Sequence, residues 1–129
     1  MKIGLITLHY NTNYGAVLQT YYTQEYFKSL GHDIEIIDYR SPAVLFFYFK
    51  HLFYNKRPLS GLIKFLKFTF FFKKYYNLSK TLFFKFQFKD LILKYDIIIA
   101  GSDEVWNIRS HRNFNPIYFL SFAKSYHNL

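Results

Sequence analysis

The sequence predicts an α/β fold built on a Rossmann-like parallel sheet. Three observations carry this: an apolar, β-branched run from Lys2 to Leu8, a stretch after Gly15 that lacks Gly and Pro until Gly31, and a second apolar run from Asp33 to Tyr39. Strand, helix and strand within about 38 residues form a βαβ unit, whose strands are parallel and whose crossover is right-handed.

The first run, IGLITL, ends at polar His9, Asn11, Thr12 and Asn13, as expected of a strand buried on both faces. A helix follows from Gly15 to Leu30, and Gly31 stands where a helix-terminating glycine takes the left-handed conformation. DIEIIDY then predicts the second strand, with Arg40, Ser41 and Pro42 as the turn behind it. YDIIIA, Tyr95 to Ala100, predicts a third strand that stops at Gly101. Between strands two and three, Pro58, Ser60 and Gly61 break an aromatic stretch at 43–54 from a helix with a basic face at 62–76. Leu82 to Lys94 predicts another helix. Residues 1–129 therefore read as one domain carrying a basic, Phe-rich helical insertion at about 43–94. After it, Arg109 to Pro116 reads as a loop, and IYFLSFAKSYHNL begins a further element.

A chain of 129 residues can bury one real core but not two. It has no cysteine, which leaves no disulfide framework or thiolate metal site and fits a reducing compartment. The N-terminus lacks the longer apolar stretch of a secretory signal. Lys50, Lys64, Lys67, Lys73 and Lys74 interrupt every Phe-rich stretch short of the roughly 20 apolar residues that span a bilayer. The expected location is cytoplasmic, peripheral at the inner face of the membrane.

The formal charge is +9, and its distribution is uneven. Residues 44–94 hold eleven of the 17 Lys and Arg, the single acid Asp90, and thirteen of the 17 Phe. Two readings stay open: codon usage in an A- and T-rich gene, or an amphipathic Lys/Phe surface that meets anionic lipid or a lipid-linked substrate. Nucleic acid is not expected as a partner, because no RNP-type, helix-turn-helix or zinc-finger pattern accompanies the charge.

Ligands of open α/β sheets sit outside the carboxyl ends of the strands, where loops and helix N-termini converge. Two loops lie there, HYNTNYG from His9 to Gly15 and GSDEVWN from Gly101 to Asn107. In the first, Asn11, Thr12 and Asn13 offer amide and hydroxyl groups, and Gly15 lets backbone N–H groups approach an anion or a sugar hydroxyl. The same residues also suit simple helix capping. The loop is not a GxGxxG fingerprint, so dinucleotide binding gains no support. His9 suits acid–base work or a hydrogen bond to a substrate hydroxyl, and equally a packing role. In the second loop, Gly101 permits a tight turn, Ser102 and Asp103 present a hydroxyl and a carboxylate, and Trp106 supplies an aromatic wall of the kind that binds sugars. Capping by Ser102 or Asp103 and burial of Trp106 in the core are the alternatives. No metal is expected.

The strings NYGAVLQTYYTQEYFKSLGHDIEIIDYR (Asn13 to Arg40) and YDIIIAGSDEVWN (Tyr95 to Asn107), with YNLSK at Tyr76 to Lys80, together resemble the N-terminal half of the polysaccharide pyruvyl transferase family. Glu104 stands where the family more usually has Gln, and Ile108 where Pro often follows; the former adds negative charge beside the proposed site. The resemblance implies a GT-B-like architecture of two Rossmann-like domains, of which this chain is the first half and the C-terminal domain is absent. It implies transfer of a pyruvyl group from phosphoenolpyruvate, a donor substrate rather than a cofactor, to a sugar hydroxyl of a cell-surface polysaccharide or its lipid-linked precursor. The groups that hold phosphoenolpyruvate in the family lie mainly beyond residue 129, so no catalytic acid is assigned and the isolated chain is expected to be inactive. The expected substrate-binding residues are His9, Asn13, Tyr14, Gly15, Gly101, Ser102, Asp103 and Trp106. The competing readings are a GT-B glycosyltransferase half-domain, which shares the fold but not the GSDxVWN string, and a non-catalytic module that binds glycans or a membrane surface.

Overall fold

The computed structural model describes residues 1–10, 12–43, 45, 46, 50, 58–101 and 115–122. In chain order the elements are β1 (Lys2–Ile6), α1 (Tyr14–Ser29), β2 (Asp33–Ile36), α2 (Pro58–Tyr75), a 3-10 turn at Lys85–Gln87, α3 (Phe88–Ile92), β3 (Ile97–Ala100) and a 3-10 turn at Pro116–Phe119. The strands form one parallel sheet in the order β2-β1-β3, with Ile3 of β1 level with Ile34 on one side and Ile97 on the other. The fold is α/β, as the two apolar runs and the helix between them predict.

Strand alternation divides the core into two layers. Ile3, Leu5, Ile34 and Ile36 face Val17 of α1 and Phe68, Phe72 and Tyr76 at the end of α2. Ile6, Ile37 and Tyr39 face Leu82, Phe88, Leu91, Ile117 and Tyr118 on the other side. Both faces of the sheet are thus covered, which is why β1 carries a nearly unbroken apolar sequence.

Helix α1 ends as its sequence predicts. Gly31 has φ +79, its N–H reaches the Lys28 carbonyl at 2.9 Å, and the His32 N–H reaches the Phe27 carbonyl at 3.1 Å. These two bonds complete a Schellman motif, with the Phe27 and His32 rings in contact across it. The inward face of α1 is unusual in carrying Gln24, fully buried. Its Oε1 accepts from the Asn77 N–H at 2.7 Å and its Nε2 donates to the Tyr75 carbonyl at 2.9 Å, tying α1 to the end of α2.

Two expectations are corrected. The helix expected from about 62 begins earlier, at Pro58, and runs through Ser60 and Gly61, because proline in a first helical turn gives up an N–H that has no intrahelical partner. Leu82 does not open a helix. Its N–H donates to the Asp38 carbonyl and its carbonyl accepts from the Arg40 N–H, each at 2.8 Å, so residues 77–82 run parallel beside the continuation of β2. The helical part of that segment is reduced to the 3-10 turn and the five residues of α3. Most of the aromatic stretch at 43–54, the loop from 109 and the end of IYFLSFAKSYHNL lie outside the described residues.

Candidate functional site

The strand order fixes where the site lies. The chain passes from β1 to β2 on one side and then crosses to β3 on the other, so the winding reverses between β1 and β3. In such sheets the crevice outside the carboxyl ends at the reversal is where ligands bind. Each strand sends one residue of interest past that rim: His9 after β1, Asp38 after β2 and Gly101 after β3.

His9 and Asp38 are 1% and 2% exposed and joined by a 2.8 Å contact from Nε2 to Oδ1. The other ring nitrogen, Nδ1, faces the Thr7 carbonyl at 3.3 Å. Arg40 approaches the same carboxylate in a bidentate fork, Nε to Oδ1 at 2.8 Å and Nη2 to Oδ2 at 2.9 Å. The Thr81 hydroxyl donates to Oδ2 at 2.7 Å. Burial pushes the Asp38 carboxyl up, but the hydrogen bonds from His9, Arg40 and Thr81 and the charge of His9 outweigh it and hold the group well below the usual carboxylate range. Asp38 is thus the shared acceptor of three side chains from the ends of β1 and β2 and from the segment beside β2. The Arg40 guanidinium also lies 4.3 Å from the Tyr10 ring centre, a stacking arrangement that holds the cation in place.

A small pocket opens beside this network, lined among others by Thr7, His9, Tyr10, Arg40, Ser41 and Tyr118. Its far wall is steadied by Asn115, which caps the 3-10 turn through the Ile117 N–H and donates to the Tyr39 hydroxyl at 3.1 Å. Among the described residues, no group of three or more metal-ligating side chains could hold a metal ion.

The remaining predicted site residues fall into three groups. Gly101 sits on the rim: its N–H donates to the Ile6 carbonyl at 2.9 Å, and a Cβ on it would come within 3.1 Å of the Leu5 side chain and 3.7 Å of Thr7. Its lack of a side chain lets the end of β3 approach Leu5 and Thr7 closely, while the turn expected after it lies outside the described residues. Asn13, Tyr14 and Gly15 form the start of α1, where Asn13 is the N-cap and its Oδ1 accepts from the Gly15 N–H at 2.9 Å. Capping therefore occupies one of the N–H groups expected to face a ligand. Tyr14 is exposed and rests against Phe68 of α2, with ring centres 5.0 Å apart. Ser102, Asp103 and Trp106 lie outside the described residues.

Asp38, Arg40 and Thr81 are the residues that sequence reasoning missed. Asp38 and Arg40 had a signal: an acid and a base two apart at the end of a strand share one side of an extended chain. Thr81 had none, since its contact with Asp38 spans 43 positions.

A family model for polysaccharide pyruvyl transferases matches residues 13–129, a span that takes in α1, β2, β3 and GSDEVWN but leaves out β1 and His9. No curated protein and no solved structure gives a match. With nearly the whole chain inside the matched span, the chain belongs to the polysaccharide pyruvyl transferase family.

Proposed function

We propose that this domain forms the acceptor side of a pyruvyl transferase that uses phosphoenolpyruvate as donor. Two hydroxyls of a sugar add to C2 of the enolpyruvyl group, C3 takes up one proton to become a methyl group, and phosphate leaves with the other. The product is a cyclic ketal on a polysaccharide or its lipid-linked precursor. What supports this reading is the family match over residues 13–129, which takes in GSDEVWN, together with the close approach of Gly101, which opens that string, to Thr7 just after β1.

In this reading the rim does two things. Hydroxyl and aromatic groups around the pocket orient the sugar, and the Arg40 guanidinium draws the negative charge that develops as phosphate departs. A second Rossmann-like domain in a GT-B arrangement completes the donor side, and the isolated 129 residues do not turn over.

Saturation-transfer NMR with methyl hexosides tests the assignment. Transfer to sugar protons by the wild-type chain, weakened in Gly101→Val, is the expected result. Absence of transfer to any hexoside, or release of phosphate from phosphoenolpyruvate by this chain alone, contradicts the acceptor-side role.

A further inference from the structure

Helix α2 is apolar on two opposite faces. Its inward face places Phe68 and Phe72 in the core, 6% and 5% exposed. Leu59, Ile63, Leu66 and Phe70 follow the i, i+4, i+7, i+11 spacing of a single helical stripe on the other side. Leu66 is 56% exposed and Phe70 68%. One face satisfies what a surface helix needs for folding, so the second stripe contributes nothing to the core it stands on. Contiguous exposed apolar side chains of this kind mark a contact surface, unlike single scattered ones.

The charges beside the stripe identify what it contacts. Lys64, Lys67, Lys73 and Lys74 are all exposed, and the 18 residues of α2 contain no acid. Lys64 extends back over the Tyr14 and Phe68 rings, at 5.6 and 5.8 Å, so its ammonium lies to one side of the outward stripe. Lysines are depleted from the buried centre of protein–protein contacts. A nucleic acid would use the lysines but has no use for Leu59, Ile63, Leu66 and Phe70. An anionic lipid surface uses both: the apolar stripe enters the boundary of headgroups and acyl chains, and the lysines reach outward to the headgroups. No helix of the described residues is long and apolar enough to cross a membrane, so the contact is lateral.

We infer that the outward face of α2 docks this domain on an anionic lipid surface. The helix is braced for that load, since Tyr10 of the first rim loop packs against both Phe65 and Phe72, with ring centres 5.9 Å apart in each case. The rim is thereby held at a fixed position relative to the lipid-facing helix.

Co-sedimentation of the full 129-residue chain tests this, using vesicles of phosphatidylcholine alone and vesicles of phosphatidylcholine and phosphatidylglycerol in equal amounts. Binding is expected only to the anionic vesicles and is expected to weaken at high salt. Lys67→Gln and Lys74→Gln should each lower it about fivefold, and Leu66→Asp with Phe70→Asp should abolish it while leaving the circular dichroism spectrum unchanged, as both sites are exposed. Equal binding to neutral vesicles, no binding to either, or anionic binding indifferent to Leu66 and Phe70 would overturn the inference. So would self-association in the absence of vesicles that the same double substitution removes.

Discussion

His9 and Asp38 meet at 2.8 Å with almost no exposure to water, although 29 residues separate them in sequence. The pair joins the ends of β1 and β2 at the carboxyl rim of the sheet, and Arg40 and Thr81 complete it. It has two consequences, one for stability and one for acid sensitivity.

Asp38→Asn should be among the most damaging single changes in the chain. It keeps the shape but leaves the Arg40 guanidinium and the His9 ring beside an uncharged group, and breaking a buried pair from one side costs about 3–5 kcal/mol. Arg40→Ala should cost about 1 kcal/mol, because its side chain is 27% exposed and water replaces part of the contact. Urea unfolding of the two variants checks the ranking.

The pH dependence follows in sign. Asp38 is held below its ordinary value of 3.8 in the folded chain, so between the two values the unfolded chain binds more protons. The stabilisation is therefore complete above that ordinary value and is lost as the pH falls below it. Tyr95 behaves oppositely: burial first, then its hydrogen bond to Glu35 and the charges of Glu35 and Asp33, raise its phenol above the ordinary 10.0. That contribution is complete below 10.0 and is lost as the pH climbs past it. Denaturation midpoints across pH should show the acid limb flattened in Asp38→Asn and the alkaline limb flattened in Tyr95→Phe.

Gly4 is the least replaceable glycine in the sheet. A Cβ there would lie 2.9 Å from the Tyr95 ring and 3.1 Å from Ile37. The missing side chain lets Tyr95, leading into β3, cross above β1 and reach Glu35 on β2. Gly4→Ala should destabilise by about 1–3 kcal/mol through overpacking, and thermal unfolding of Gly4→Ala against Gly31→Ala separates this crowding from the left-handed backbone strain at Gly31.

Gln24→Leu should cost about 1–3 kcal/mol, although leucine is the better helix former and the better core residue. The substitution strands the Asn77 N–H and the Tyr75 carbonyl, which Gln24 serves at 2.7 and 2.9 Å. Faster amide exchange at Asn77 in the variant is the direct readout.

What the sequence reveals of this fold is local. The run from Lys2 to Leu8, the glycine at position 31 and the IIIA of β3 each announce their structure within a few residues, and the structure agrees to within one to three positions. Where contacts are distant, local signals mislead. Leu82 has the neighbours of a helix start but is claimed by the edge of β2 through Asp38 and Arg40. Pro58, Ser60 and Gly61 set the expected helix start too late, because their propensities are read without their place in a first turn. In the candidate site, His9 and Gly101 were legible from their position after strands, whereas Asp38 takes its role from His9 and Thr81, distant in sequence.

The central claim is that the carboxyl rim of the sheet receives the sugar. Amide chemical shifts of the assigned 129-residue chain, followed during titration with the methyl hexoside that binds best, test it most directly. The account predicts shifts concentrated at Thr7, His9, Asp38, Arg40 and Gly101. Shifts concentrated instead at Lys2, Asp33 and Asp96, which meet at the opposite end of the sheet, would contradict it.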